Sequence, residues 1–311
     1  MADEKATWML SPGPHLRIGM TTRQIMWWVT ASLTPATLWA AFVFGWKVFV
    51  LTASGIFGAL LGEWMVTKLR KQENRLGDGS AVLTGLLLVG TISPGVPFWL
   101  PAAGSFMAIV FAKMLFGGLG YNIFNPALIG RAFLTATFPV AMTTTWQAPF
   151  TALTHATPLN TLKLGGELFS NYWNLFLGLR AGSMGEVSVL LILLGGLVLV
   201  FKKIIRLYIP VSVIAGCFAV SLFSGEPVFH LLTGGLWFGA FYMATDYVTA
   251  PMMPKAQMIF GFCIGILTGI IRLWGGYPEG ICYAILIMNA VTPALNHWFR
   301  PKRPVTEGAP S

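Results

Sequence analysis

One stretch of this chain holds the residue types that reactive chemistry needs. Between two hydrophobic halves lies a polar interruption, residues 141–185, containing the heptad Leu153-Thr154-His155-Ala156-Thr157-Pro158-Leu159. Thr157 offers a hydroxyl, a weak nucleophile that forms esters once another group activates it. Small Ala156 leaves room for an approaching reagent, and Pro158 stiffens the backbone on the far side. Taken alone, Ala-Thr-Pro-Leu also describes an ordinary loop threonine. Two carboxylates stand out within long apolar runs, where acids are scarce and costly: Glu63 in Gly62-Glu63-Trp64 and Asp246 in Thr245-Asp246-Tyr247. Both are candidates for an ion route, Asp246 because the carbonyls freed by Pro251 and Pro254 follow it and oxygen ligands suit hard cations. The competing reading is that Glu63 pairs with a neighbouring helix and Asp246 caps a helix end.

The elements that position these groups are set by composition. Hydrophobic residues make up 55% of the chain and charged ones 10%, with a mean hydropathy of +0.70. Soluble chains carry about a quarter charged residues, so this is an integral membrane protein. The apolar runs are long and continuous rather than alternating, which predicts helices and not a barrel. The fold class is therefore all-α. Ten candidate spans fall near 24–44, 48–69, 80–94, 98–116, 123–140, 187–203, 206–223, 229–248, 256–273 and 278–299.

The net charge of +9 does not point to nucleic acid, because the basic residues cluster at span ends. Lys68-Leu69-Arg70-Lys71 to Arg75, Lys202-Lys203 to Arg206 and Arg300-Pro301-Lys302-Arg303 make a positive-inside pattern. An even number of spans starting from a cytoplasmic N-terminus puts all three on the cytoplasmic side and the 141–185 segment outside. The first twenty residues lack the apolar core of a secretory signal. The expected organisation is a cytoplasmic lead-in over 1–23, a first membrane repeat over 24–140, an extracytoplasmic segment over 141–186, a second repeat over 187–299 and a cytoplasmic tail over 300–311.

The halves resemble each other. Thr84-Gly85, Gly90 and the break Ser93-Pro94-Gly95 are similar to Thr233-Gly234, Gly239 and the break Pro251-Met252-Met253-Pro254. Gly117-Gly118-Leu119-Gly120-Tyr121 is similar to Trp274-Gly275-Gly276-Tyr277. Five spans on each side of the polar segment would insert with opposite polarity, an inverted repeat of five plus five. Proline removes a backbone donor and frees carbonyls that lipid cannot satisfy, so the two breaks are expected near the protein axis. Cys217, Cys263 and Cys282 lie within apolar runs without metal-ligand or redox spacing and read as small fillers; no disulfide and no metal site is expected. Asn122, Asn125 and Asn289 are expected to hydrogen-bond between helices, and His230 and His297 to lie at interfaces.

Three stretches in order carry a resemblance to a known family. They are Gly117-Gly118-Leu119-Gly120-Tyr121-Asn122-Ile123-Phe124-Asn125-Pro126-Ala127 running into Gly130-Arg131-Ala132-Phe133, then Ala156-Thr157-Pro158-Leu159, then Ala244-Thr245-Asp246-Tyr247-Val248-Thr249-Ala250-Pro251 followed by Arg272-Leu273-Trp274-Gly275-Gly276-Tyr277-Pro278-Glu279-Gly280. Together they resemble the NqrB/RnfD family, which is shared by the RnfD component of Rnf electron-transport complexes and the NqrB component of sodium-pumping NADH:quinone oxidoreductases. The likeness covers residues 11–300, and the chain's length favours the Rnf side. His15, in Ser11-Pro12-Gly13-Pro14-His15, is similar to an N-terminal Ser-Pro-His element of that family.

The resemblance implies a urea-transporter-like inverted repeat in a bacterial or archaeal cytoplasmic membrane. It implies a complex that passes electrons between ferredoxin and NAD⁺ while moving Na⁺ or H⁺. FMN would be attached by a flavin transferase through a phosphoester to the last threonine of a motif resembling Asp-x-x-(Ser/Thr)-Gly-Ala-Thr. That motif falls on Thr151 to Thr157, with Thr151 at the acidic position and His155 at the glycine position. Thr154 and His155 by adjacency, and Asn125 and Arg131 at the start of a half-membrane helix, are candidate partners of the flavin. Trp146, Phe150, Phe169, Tyr172, Trp173 and Phe176 would stack on it or anchor the segment at the interface. Glu63 and Asp246 match acids tied to ion uptake in the sodium-pumping relative. A noncovalent riboflavin between the halves is left open. Iron–sulfur cysteine runs and a dinucleotide-binding glycine motif are absent from the sequence, so that chemistry would belong to partners, including a second FMN-bearing subunit and iron–sulfur subunits. A small-solute channel and a structural anchor without cofactor are the alternatives of other classes.

Overall fold

The computed structural model describes residues 19–71, 76–151, 153–166, 171–276 and 279–300. The lead-in before residue 19, Arg75, Phe169, Tyr277, Pro278, the Pro301-Lys302-Arg303 cluster and the tail lie outside the described residues.

Helix α1, Thr22–Phe44, begins in a reciprocal cap: Thr21 Oγ1 accepts from Gln24 N, and Gln24 Oε1 accepts from Thr21 N. Its 23 residues span about 35 Å, enough to cross a hydrocarbon core of about 30 Å. Helix α2, Lys47–Leu69, and a later helix, Pro254–Trp274, are likewise long and apolar enough to cross. Between them the chain runs through α3, Ser80–Gly90, then α4, Trp99–Met107, which continues as a π-helical stretch over Ala108–Met114. Next come α5, Pro126–Thr137, and the short α6, Pro139–Thr143, α7, Pro158–Lys163, and α8, Tyr172–Leu177. After them follow α9, Val189–Phe201, α10, Tyr208–Ser221, α11, Pro227–Leu232, and α12, Leu236–Phe238, which runs into a second π-helical stretch over Gly239–Met243. Pro254–Trp274 is α13, and α14 is Ile281–Trp298. Among the described residues there is no strand; one antiparallel pairing joins Gln147 to Thr154.

Each of the ten expected spans contains helix, yet several are shorter or interrupted. The run at 80–94 stops at Gly90, that at 123–140 is helical from Pro126 to Thr137, and that at 229–248 breaks around Thr233 to Gly235. Hydropathy reports burial in an apolar medium and cannot see where the backbone leaves the helix. Helices of 11 and 12 residues, α3 and α5, reach only about 16 to 18 Å, half a membrane. Carbonyls exposed at the end of α3 find partners in the segment before α9: Gly185 N donates to Gly90 O at 2.7 Å and Met184 N to Ile92 O at 3.1 Å. Unsatisfied backbone at this depth would be costly, and protein replaces lipid there.

Close backbone approach holds each half together. A Cβ on Gly58 of α2 would lie 2.2 Å from Ala102 O of α4, and one on Gly265 of α13 would lie 2.2 Å from Val213 O of α10. Small residues allow such packing where no aqueous hydrophobic effect drives helices together. The halves meet where α1 packs on α9 and α5 on α14. Large apolar side chains such as Phe42, Phe57, Phe111 and Phe201 are exposed on the outside, where lipid would meet them.

The two ends of the bundle differ. Lys202 Nζ sits 4.6 Å over the Trp28 ring near the start of α1, and Arg70 Nη1 donates to Met114 O at 2.7 Å. At the opposite end, Phe150 N donates to Val43 O at 2.9 Å and Lys163 Nζ to Gly275 O. The heptad thus lies at the end of α1 away from Lys202 and Arg70.

Candidate functional site

Thr157 is the N-cap of α7: its Oγ1 accepts from Asn160 N at 3.3 Å, and its carbonyl accepts from Thr161 N at 2.9 Å. The cap uses a lone pair and leaves the hydroxyl proton free. Pro158 at the first helical position loses no hydrogen bond, because that N–H has no intrahelical acceptor. The side chain of Thr157 is buried, 5% exposed, whereas Thr154 and His155 on the preceding turn are exposed. His155 N donates to Trp146 O at 2.8 Å, fixing the turn against Trp146.

Asn160 leads from the cap into a cavity of about 250 Å³ lined by Arg131, Thr143, Trp146, Glu279 and Cys282. Arg131 on α5 forms an ion pair with Glu279, the residue before Gly280 and α14. Arg131 thus lines the same cavity as Asn160, which directly follows the heptad. Asn125 does not: its side chain caps α5 by accepting from Ala127 N and Leu128 N, and its amide donates to Met243 O at 3.2 Å. The positive end of α5 is already used, and five residues lie between the two groups along the chain. Among the aromatic candidates, Trp146 lines the cavity, Phe150 packs edge-on to Phe42, and Trp173 packs edge-on to Phe176. Tyr172 donates to Glu226 at 3.1 Å; this bond raises the phenol above its ordinary pKa.

A second polar site lies between the halves. A cavity of about 90 Å³ is lined by Ser80, Thr84, Lys113, Asn122, Asn125, Thr245 and Asp246, with Met26 and Val29 of α1 among its apolar walls. Asp246 Oδ1 accepts from Val248 N and Oδ2 from Thr249 Oγ1, both at 3.3 Å, which holds the broken segment before α13 as a turn. Glu63, the other expected acid, reaches the cavity through a partner: Lys113 Nζ is 2.9 Å from each of its oxygens. The pairing with a neighbouring helix that rivalled the ion route for Glu63 is present, and it ends at the cavity wall. Asn289, with its amide turned to satisfy its neighbours, donates to Ile285 O and accepts from Asn125 N at 3.0 Å, tying α14 to α5.

Several buried charges escaped the sequence reading. Besides Lys113 and Glu279, Arg180, Glu186 and Arg272 are each at most 3% exposed. Arg180 donates to Glu186 O at 3.1 Å, and Arg272 donates to the carbonyls of His230 and Thr233. Expected at an interface, His230 is instead buried; His297 is exposed at the end of α14. The available signal was the cost of any ionised group in an apolar run, which applies to Lys113 in Phe111-Ala112-Lys113-Met114 as much as to Glu63. Cys217 and Cys282 are buried and Cys263 is partly so, all three as free thiols.

Long apolar helices, half-membrane helices and two polar sites buried between them define a multi-pass α-helical membrane protein. The chain belongs to the NQR2, RnfD, RnfE family, whose profile matches residues 9–304. It is 46% identical over 319 residues to the D-type subunit of the proton-translocating ferredoxin:NAD(+) oxidoreductase complex of Clostridium ljungdahlii, covering 96% of each chain. To the D-type subunit of the Na(+)-translocating ferredoxin:NAD(+) oxidoreductase complex of Acetobacterium woodii it is 41% identical over 299 residues, 94% of each chain. The D-type subunit of the ion-translocating oxidoreductase complex of Pseudomonas aeruginosa is 36% identical over 324 residues, 93% of each chain.

Proposed function

We propose that this chain is the D-type membrane subunit of an ion-translocating ferredoxin:NAD⁺ oxidoreductase. It works within a hetero-oligomeric Rnf complex and is not active alone. The observation that carries this reading is likeness of 46% extending over 96% of both chains to a relative named as that subunit. One relative is named for protons and another for sodium, so likeness alone does not choose the ion. Ferredoxin and NAD⁺ chemistry belongs to partner subunits.

Within that subunit we infer that Thr157 bears FMN. A flavin transferase would join Thr157 Oγ1 to the phosphorus of the FMN half of FAD, breaking the pyrophosphate and releasing AMP. The bound group supplies one- or two-electron transfer, and the protein supplies position and electrostatics. The cavity beside α7 supports this role by its lining rather than its size: at about 250 Å³ it lies just below the usual range of small-molecule pockets. Trp146 offers a stacking face there, and Arg131 a positive group. Because Thr157 is buried, a transferase must meet it with α7 lifted from the bundle or before α7 docks. No step is assigned to riboflavin in the central cavity.

We further propose the ten-span inverted repeat, α1 to α5 against α9 to α14, in a cytoplasmic membrane with both termini inside and Thr157 outside. It is supported by the matched packing of α2 on α4 and α10 on α13 and by the contacts of α1 with α9 and α5 with α14. Its polarity is supported by the basic groups gathered at the end opposite the heptad. A small-solute channel is disfavoured because Gly185 and Phe238 crowd Gly90: a Cβ there would lie 2.7 Å from the Phe238 ring and 3.4 Å from Gly185 Cα. The related NqrB component of quinone-reducing complexes would carry the same fold and threonine, and differs in partners. Denaturing electrophoresis of the subunit coexpressed with its transferase tests the cofactor. A fluorescent band that persists in Thr157→Ser and is absent in Thr157→Ala supports it, and a dark wild-type band refutes it.

A further inference from the structure

Glu63, on α2, and Lys113, on the π-helical stretch after α4, are 3% and 2% exposed. Lys113 Nζ is 2.9 Å from both Glu63 oxygens and 2.6 Å from Ser80 Oγ. Ser80 Oγ in turn donates its proton to Asp78 Oδ1 at 2.5 Å, so it can only accept from Lys113. The three protons of the ammonium therefore have three oxygen acceptors, two from a carboxylate and one from a hydroxyl. Such a hard oxygen set is also what a small cation takes.

Three features suggest that the ammonium can leave. First, Lys113 lines the central cavity, which gives it space. Second, Lys113 and Asp246 are the two charged residues on the described wall of that cavity, which also presents Asn122, whose Oδ1 is buried without a hydrogen-bond partner. Third, Lys113 sits on π-helical backbone, an arrangement that recurs at functional sites. The charge count points the same way. Glu63 and Asp78 are joined through Lys113 and Ser80, and Asp246 lines the same cavity, so three carboxyl groups stand against one ammonium and the set has room for added positive charge. Asp78 is partly exposed at the basic end of the bundle and connects this set to that surface through Ser80, with Arg70 on Met114 O beside it.

We propose that Lys113 is a displaceable internal cation: it occupies the oxygen site of Glu63 and Ser80, and the transported monovalent cation enters by driving its ammonium toward Asp246 and Asn122 in the central cavity. The proposal rests on the reading of this chain as part of an ion-translocating complex. Lys113 is a positioning residue in this scheme, acting through Glu63.

The test uses the assembled complex, after flavin fluorescence has been checked so that failure of the cofactor reading is seen separately. Equilibrium binding of ²²Na⁺ reads sodium, and the infrared carboxylic-acid band reads a proton on Glu63. Lys113→Met should tighten ²²Na⁺ binding by about tenfold or more, the scale on which a neighbouring opposite charge shifts a carboxylate. A gain in proton affinity without a gain in sodium binding is what loss of a fixed ion pair gives, and it overturns the displacement scheme. The double variant Lys113→Met with Glu63→Gln removes both charges and should lose the gain. Unchanged sodium binding in Lys113→Met, or a gain that survives in the double variant, overturns the proposal. Should the single variant fail to assemble, the wild-type complex decides: the carboxylate bands that vanish in Glu63→Gln must shift on adding sodium, and bands that shift only with acid or not at all refute it.

Discussion

At the scale of single residues, buried charge is tolerated here where it finds a partner. Arg131 and Glu279 lie 148 positions apart and meet between α5 and the start of α14. Removing one partner leaves the other ionised and dry, which costs about 3–5 kcal/mol. Arg131→Met is therefore expected to lower the melting temperature of the purified complex clearly, whereas Arg131→Met with Glu279→Gln should recover most of the loss. Equal melting of the single and double variants would show that the pair is not what stabilises this site. Thr157 illustrates a second kind of residue effect. As an N-cap its replacement by alanine costs about 1 kcal/mol, so Thr157→Ser, which keeps both cap and hydroxyl, separates loss of attachment from loss of fold. Thr157 was singled out because its neighbours form a local motif. Lys113 and Arg131 have partners 50 and 148 residues away, and no spacing along the chain encodes such meetings.

At the scale of elements, glycine contacts set the distance between helices. Gly58→Ala would drive a Cβ to 2.2 Å from Ala102 O, forcing α2 and α4 apart; a loss of about 1–3 kcal/mol is expected, the usual range for overpacking. Gly77→Ala meets nothing within 4 Å and should stay within about 0.5 kcal/mol of the parent. Thermal unfolding of the two variants side by side checks the contrast, and equal behaviour would contradict the packing described. The apolar runs predicted where helices lie, because burial in lipid or protein selects the same side chains. They did not predict where α3 stops or where α11 gives way to α12, since those ends depend on backbone partners elsewhere. Gly185 and Met184 supply them for α3, and nothing in the sequence near Gly90 announces a segment more than ninety residues later.

At the scale of the whole molecule, the polar segment and the described basic residues Arg70 and Lys202 lie at opposite ends of one bundle. A cysteine placed at Leu164, which is exposed, should react with an impermeant thiol reagent added outside intact cells, and one placed at Lys203 should react only after the membrane is opened. The reverse pattern would invert the polarity proposed here. The alternation of spans and charged ends made this organisation legible before any coordinates, as did the order of the family motifs. The central cavity was not legible, because its walls come from α1, α3, the π-helical stretch before Leu115, the start of α5, the end of α9 and the second π-helical stretch with the turn at Asp246, places that only the packed halves bring together.

The most direct measurement is the intact mass of the protein, purified from cells that also make its flavin transferase, followed by mapping of the modified peptide. Addition of one FMN less one water, located at Thr157 and absent from Thr157→Ala, is the expected result. An unmodified mass beside a transferase shown to be active on another protein would contradict the account at its centre.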